Sequence, residues 1–243
     1  MYEWVAVFGY LGEISQAALL ALEITLLAFA LAVFLGIVGA VGRNSRFSLL
    51  RFVASVYIEV TRNTPVLLQI FVAYFALPSL GLNLNSFEAG VLALGVNIGA
   101  YLAEVFRAGI SSVPKGHVEA AEILGLPNAQ IFIFIVFPQA LRNVYPAVVN
   151  YLVQILLGTS LLSAIALPEL IGTATTINSR TLIFIPIFTV TVIVYLLLSN
   201  ILSAVAGVIG RVAFKPALVL PRTSVLARLM VRRTKPVTEG AIK

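Results

Sequence analysis

The sequence predicts an all-α membrane protein with five transmembrane helices, its N-terminus outside and its C-terminus in the cytoplasm. Three observations carry this. Of 243 residues, 60% are hydrophobic and 11% charged, and the mean hydropathy is +1.04. A soluble domain has roughly 45–50% apolar and about 25% charged residues, so too few polar groups are present here to cover a water-exposed surface. The apolar residues fall into charge-poor runs, each long enough for a hydrocarbon core about 30 Å thick, which takes about 20 helical residues. The lysines and arginines, assigned loop by loop, then collect on one side.

The first span is expected at 15–42: Ile24 to Gly42 carries no charge, and "ISQAALLALE" extends it upstream. The residues before it lack a basic leader and do not read as a signal peptide. The second span, 52–77, holds Glu59 and Arg62 in its first half, three apart on one face and placed to pair. In "RNTP", Pro65 removes a backbone donor and disfavours helical geometry at Thr64, so a broken helix is expected. The third span is 87–110, the fourth 138–160, and the fifth, 182–210, is the longest and most uniform. The membrane domain is thus 1–215, followed by a basic cytoplasmic tail, 216–243.

One segment is ambiguous. "AQIFIFIVF", 129–137, lies between Pro127 and Pro138. Nine helical residues rise about 14 Å, half a membrane. The segment fits an interfacial stretch, a lead-in to the fourth span, or a sixth span. Charge decides between topologies, because cytoplasmic loops are enriched in Lys and Arg. Five spans place Arg43, Arg46, Arg51, Arg107, Lys115, Arg142 and the eight cations after Gly210 on one side, fourteen of sixteen in all. A sixth span would put Arg142 outside. The net charge of +6 therefore reflects membrane orientation, with the tail contacting anionic lipid or a partner.

Several chemistries lack their residues. There is no cysteine and no aspartate, and His117 is the one histidine. Metal clusters and Ser-His-Asp triads cannot be assembled, and no G-x-x-x-x-G-K-[ST] phosphate loop occurs. The chain is not expected to be an enzyme or to hold a cofactor.

Between the third and fourth spans lies the largest loop, 112–137. Pro114 suits a first helical turn. Gly125, with Pro127 two residues on, suits a stop. Between them "KGHVEAAEIL" forms a short helix with Val118, Ala121 and Leu124 on one side. Glu119 and Glu122 repel mildly unless Lys115 or a docked partner offsets them. A helix lying on the membrane surface explains these features equally well. Inside the membrane, Asn97, Tyr101 and Glu104 share one face of the third span, Asn150 and Gln154 one face of the fourth, and Thr159 and Ser160 come next. Such groups either bond helix to helix or line a polar seam.

The series Glu119-Ala120-Ala121…Gly125…Ile133…Pro138 resembles the cytoplasmic EAA loop of ABC-importer permease subunits. "RNTPVLLQIFVAYFALP" (62–78), "NIGAYLAEVFRAGISSVPKG" (97–116), "FPQALRNVYPAVVN" (137–150) and "TSLLSAIALPEL" (159–170) resemble the polar-amino-acid branch of that family. Together they span most of 52–172. The resemblance implies that Gly116, Glu119, Ala120, Ala121 and Gly125 form a coupling helix fitting a cleft on a separate ATPase. It implies a translocation path with Arg62, Asn63, Thr64, Gln69, Asn97, Tyr101, Glu104, Asn150, Gln154, Thr159 and Ser160 as candidates.

Implied partners are two ABC ATPase subunits, which bind the ATP and magnesium, a second permease subunit (the same or homologous), an extracytoplasmic amino-acid-binding protein and membrane lipid, with no nucleic acid. The implied location is the bacterial cytoplasmic membrane. One departure stands out: where many relatives carry Lys-Asp, this chain has Leu157 and Gly158, so it need not form a whole substrate site alone. His117 stands where relatives often have Gln and reads as a surface residue. The alternative is a secondary transporter or channel not driven by ATP; the lack of an internal repeat argues against the inverted-repeat carriers.

Overall fold

A computed structural model describes residues 2–214; the tail expected at 216–243 lies outside the described residues. The described chain is helical, with no strand among its elements. Helix α1 (Tyr2–Ala6) and a 3-10 turn lead into α2 (Leu11–Arg43), giving one apolar stretch from Trp4 to Arg43. Helix α3 (Ser48–Arg62) stops at Asn63. After Pro65, α4 (Val66–Phe71) restarts and continues through a π-turn and a 3-10 turn to Leu80. The two halves are bent by 110°, the break that Pro65 dictates.

Helix α5 (Ser86–Ser111) opens on a capping box: the Glu88 backbone N–H donates to Asn85 Oδ1 and the Asn85 N–H to Glu88 Oε2, both at 2.9 Å. A short helix, α6 (Lys115–Ile123), comes next. Helix α7 (Asn128–Ile131), a π-turn and α8 (Phe137–Gly158) then run on through a 3-10 segment to Ile165, one apolar stretch of 38 residues. The 129–137 segment is therefore the beginning of this helix, which starts ten residues inside the loop expected at 112–137. Pro138 does not end it: it follows just after the π-turn Phe132–Val136, and the helix runs on through it. Helix α9 (Leu170–Thr181) is a short element, and α10 (Phe184–Ala213) is the last long one.

Relative direction can be read from contacts. Gly95 lies on Leu31, Gly99 on Leu35, Gly36 on Leu102 and Gly39 on Ala103, so α2 and α5 run parallel. The spacing Gly95-x-x-x-Gly99 makes this approach possible: a Cβ on Gly99 would sit 2.8 Å from Tyr57 Oη and 2.9 Å from Leu35 Cβ. Gly109 on Val144, Tyr101 on Tyr151 and Gly158 near Leu94 make α8 antiparallel to α5. The Tyr145 hydroxyl donates to Ala206 O at 2.6 Å, and Thr159 meets Tyr195, so α10 runs antiparallel to α8. The α6 loop consequently shares one end of the bundle with the C-termini of α2, α5 and α10.

Helix α5 is the most enclosed long helix and α10 the least. Ile24, Ala28, Ile70, Leu94, Leu102, Ile155 and Leu162 form the central core, and Ala21, Leu156, Leu170, Ile177 and Ile187 a second cluster. Lipid tails are as apolar as these side chains, so close packing and polar bonds, not water exclusion, hold the helices together.

Candidate functional site

The loop helix comes first. Pro114 is its N-cap, extended at ψ 130°. Its C-terminus is a Schellman turn: Gly125 N–H donates to Glu122 O at 2.9 Å and Leu126 N–H to Ala121 O at 3.2 Å. Gly125 supplies the left-handed residue, φ +77°, that this turn requires. Ala121 is the buried residue of α6 and Val118 is half-buried, while Gly116, Glu119, Ala120 and Glu122 are exposed. Periodicity places Leu124 on the buried side with Val118 and Ala121. It is 79% exposed instead, and Ile123 is 87% exposed, because the chain reverses at Gly125 and Leu126 tucks in. His117 bonds Gln139 Oε1 at 2.9 Å, and Asn143 Nδ2 donates to Ser112 Oγ at 2.9 Å. No ion pair joins Lys115 to Glu119 among the described residues.

The break in the second span is satisfied by its own side chains. A helical N–H at position 65 would serve Thr61 O. Pro65 has none, and Gln69 Nε2 takes its place at 2.8 Å while also reaching Thr64 Oγ1 at 2.8 Å. Asn97 Nδ2 on α5 donates to Gln69 Oε1 at 3.2 Å. Asn63 Nδ2 donates to Glu59 O at 2.7 Å and Thr64 Oγ1 to Val60 O at 3.0 Å. Thr159 and Ser160 hydroxyls donate back to Leu156 O and Leu157 O. Thr64, Gln69 and Asn97 are thus brought together in one local network, while Asn63 bonds only its own helix at Glu59 O.

Arg62 stands apart. Glu59 does not pair with it, although their spacing suggests a pair. The Glu59 carboxylate instead accepts from Arg43 Nη2 at 3.0 Å. Arg43 also pairs with Glu104, and Glu104 with Arg107 at 2.8 Å. A residue distant in sequence, at the end of α2, thereby ties α2, α3 and α5, a pairing that no local spacing could reveal. The Arg62 guanidinium lies 5.3 Å over the Tyr101 ring, which stacks on Tyr151 at 5.8 Å, and the Tyr101 hydroxyl donates to Arg62 O at 3.3 Å. Such a cation–π contact contributes about 0.5–2 kcal/mol. A lone arginine near the bilayer centre costs about 2.5–3.5 kcal/mol on insertion scales. Asn150 and Gln154 are exposed on α8, with no side-chain partner among the described residues.

Glu169 escaped the sequence reading. It is fully buried, caps α9 through Ile171 N–H at 2.9 Å and Gly172 N–H at 2.8 Å, and accepts from the Tyr195 hydroxyl at 2.8 Å. Burial pushes its carboxyl up, against the downward pull of those three donors. The signal was weak, since Glu is not a favoured N-cap.

The family of binding-protein-dependent transport system inner membrane components matches residues 32–213. A probable amino-acid ABC transporter permease of Sinorhizobium fredii is 37% identical over 188 residues, covering 77% of this chain and 81% of that protein. A probable glutamine ABC transporter permease of Bacillus subtilis is 37% identical over 191 residues, covering 77% and 88%. The crystal structure of an amino acid ABC transporter with histidines superposes at a TM-score of 0.80 with 32% identity, over 85% of this chain and 96% of that one. This chain belongs to the binding-protein-dependent transport system inner membrane component family, among the amino-acid permeases of ABC transporters.

Proposed function

We propose that the chain is the transmembrane subunit of an ATP-driven importer for polar amino acids, coupled through α6 to a separate ATPase. The observation that supports this most is α6 itself. It is a short helix that starts at Pro114 and is closed at its C-terminus by the Gly125 turn, with Glu119, Ala120, Ile123 and Leu124 turned away from the bundle. An apolar tip outside the membrane helices is a surface for another protein. A helix fixed at its C-terminus by the Gly125 turn transmits displacement without deforming. Two ABC ATPase subunits, binding ATP and magnesium, would each grip one such helix; a second permease, identical or homologous, completes the path; an extracytoplasmic binding protein delivers substrate. The cations at the α6 end make that end cytoplasmic by the positive-inside rule, in a bacterial cytoplasmic membrane. The relatives' glutamine and amino-acid assignments favour a substrate of that class.

The test is coupling. In proteoliposomes holding the co-purified complex, Glu119→Lys and Gly125→Asp are expected to lower substrate-stimulated ATP hydrolysis at least tenfold while the chain still inserts. A non-glycine residue at φ +77° costs about 1–2 kcal/mol and loosens the turn. Normal coupling in both variants, or uptake without ATP, refutes the proposal.

A further inference from the structure

On the importer reading, on which this proposal rests, α6 takes the push of the ATPase and must hand it to a long helix. The chain joins it to two, α5 before it and the α7–α8 stretch after it. Its contacts are not shared evenly between them. Helix α6 packs chiefly on α7 and on the π-turn that leads into α8. His117 Nδ1 meets Gln139 Oε1 of α8 at 2.9 Å, across 22 residues. One turn further along α8, Asn143 Nδ2 donates at 2.9 Å to Ser112 Oγ, whose own proton goes to Gly109 O at 2.7 Å. Helix α8 thus holds both α6 and the joint at which α6 leaves α5. No side-chain hydrogen bond or ion pair joins α6 itself to α5 among the described residues.

The Gln139 amide has a fixed sense. Its Nε2 donates to Ile135 O at 2.7 Å, one turn back, which turns Oε1 toward α6. An oxygen there accepts, so His117 Nδ1 carries the proton, and the bond is kept whether or not Nε2 is protonated too. His117 stands one helical turn before the buried Ala121, on the same face, opposite the exposed Glu119. His117 is exposed and Gln139 half-buried, so water competes and the bond adds little to the stability of the bundle. What it fixes is the direction of α6. The helix it fixes α6 to is free to respond: α5 is wedged among its neighbours, whereas the stretch through α8 to Ile165 is much less enclosed.

We infer that His117 and Gln139 are positioning residues that fasten α6 to α8, so that a displacement of α6 is passed to α8. An exposed imidazole can also meet a docked ATPase directly, and the experiment separates the two. The permease is co-purified with its ATPase and reconstituted in proteoliposomes with the binding protein. The substrate used is whichever of the twenty protein amino acids and cystine, uniformly 13C-labelled, wild type accumulates. Three quantities are read: the ratio of substrate-stimulated to basal ATP hydrolysis, the dissociation constant of the ATPase, and the melting temperature.

His117→Leu and Gln139→Leu are each expected to lower the ratio about fivefold, and the double variant to lower it no further, because both remove one bond. His117→Gln keeps a donor for Gln139 Oε1 and is expected to stay within about twofold of wild type. Affinity for the ATPase is expected to be that of wild type in all four, and the melting temperature to fall only slightly. A wild-type ratio in both leucine variants overturns the inference. So does a double variant whose loss is the product of the two single losses, the mark of independent roles. So does weaker binding of the ATPase by His117→Leu alone, the mark of direct contact. If Gln139→Leu does not assemble, an equal loss in His117→Leu and His117→Gln overturns it. Absence of ATP-dependent uptake in wild type refutes the importer reading itself.

Discussion

At α6 the backbone satisfies itself and the side chains are left outside; at the break of the second span the side chains are used up in satisfying the backbone. Both segments interrupt a helix with Pro or Gly, and they sit in different solvents. Beyond the bundle end, water is available, so the Schellman turn needs only two backbone hydrogen bonds, and Ile123 and Leu124 stay exposed. At membrane depth no water competes, so Gln69 Nε2 fills the vacancy at Thr61 O that Pro65 creates, and the same amide also joins Thr64 and Asn97. A site for a protein partner can therefore consist of whatever side chains the loop exposes. A site for a small solute near the break must be made from what the backbone has not claimed.

The largest effect tests the buried side of this contrast. Gln69→Leu removes the donor to Thr61 O and Thr64 Oγ1 and the acceptor for Asn97. Leaving two or three buried polar groups unpaired costs about 1–3 kcal/mol each. The expected loss of about 3 kcal/mol would appear as a lower melting temperature of the detergent-solubilised chain. A Gln69→Leu protein as stable as wild type would mean that water, not Gln69, serves the break, and the contrast would fail.

Glu169→Ala comes next. It strips the cap from α9 and the partner from Tyr195, for about 2 kcal/mol, the upper range for a lost N-cap. The same melting measurement reads it. Because burial raises the folded carboxyl's pKa, the wild-type contribution is complete below the ordinary carboxylate pKa and declines as pH rises through the raised value. The gap between wild type and Glu169→Ala should accordingly narrow from acid to neutral pH, and a gap that widens reverses the assignment of burial as the dominant cause.

What the sequence discloses and what it hides divide along the same physical line. Charge-free runs reveal spans because lipid forbids unpaired charge, and Pro65 and Gly125 announce their turns because each has one stereochemical reason to be there. In the 129–137 segment charge argues against a sixth span, but nine helical residues fit an interfacial stretch as well as a lead-in to the fourth span, and only continuity with α8 selects between them. Partners distant in sequence are hidden for a related reason. Periodicity places Glu59 and Arg62 on one face, yet Arg43 reaches Glu59 from another helix, and Tyr195 reaches Glu169 across 26 residues. Tyr151 carries no local mark of its stacking on Tyr101.

The smallest stability effect belongs to the exposed side of the contrast. Ile123→Ser with Leu124→Ser changes two side chains that are 87% and 79% exposed, neither of which fills the bundle. Unfolding of the solubilised chain should shift by less than about 0.5 kcal/mol, the usual range for surface changes. The same double variant should bind the ATPase proposed as its partner far more weakly, because burying two such side chains against a partner contributes about 1.5–3 kcal/mol each, or more than a hundredfold in the dissociation constant together. Pull-down of the ATPase by the tagged permease reads the second quantity, and the pair of results must diverge. A variant that loses stability and binding in proportion would show that Ile123 and Leu124 pack on the bundle or on lipid, and α6 would then be one more surface helix rather than the contact through which ATP hydrolysis reaches the membrane.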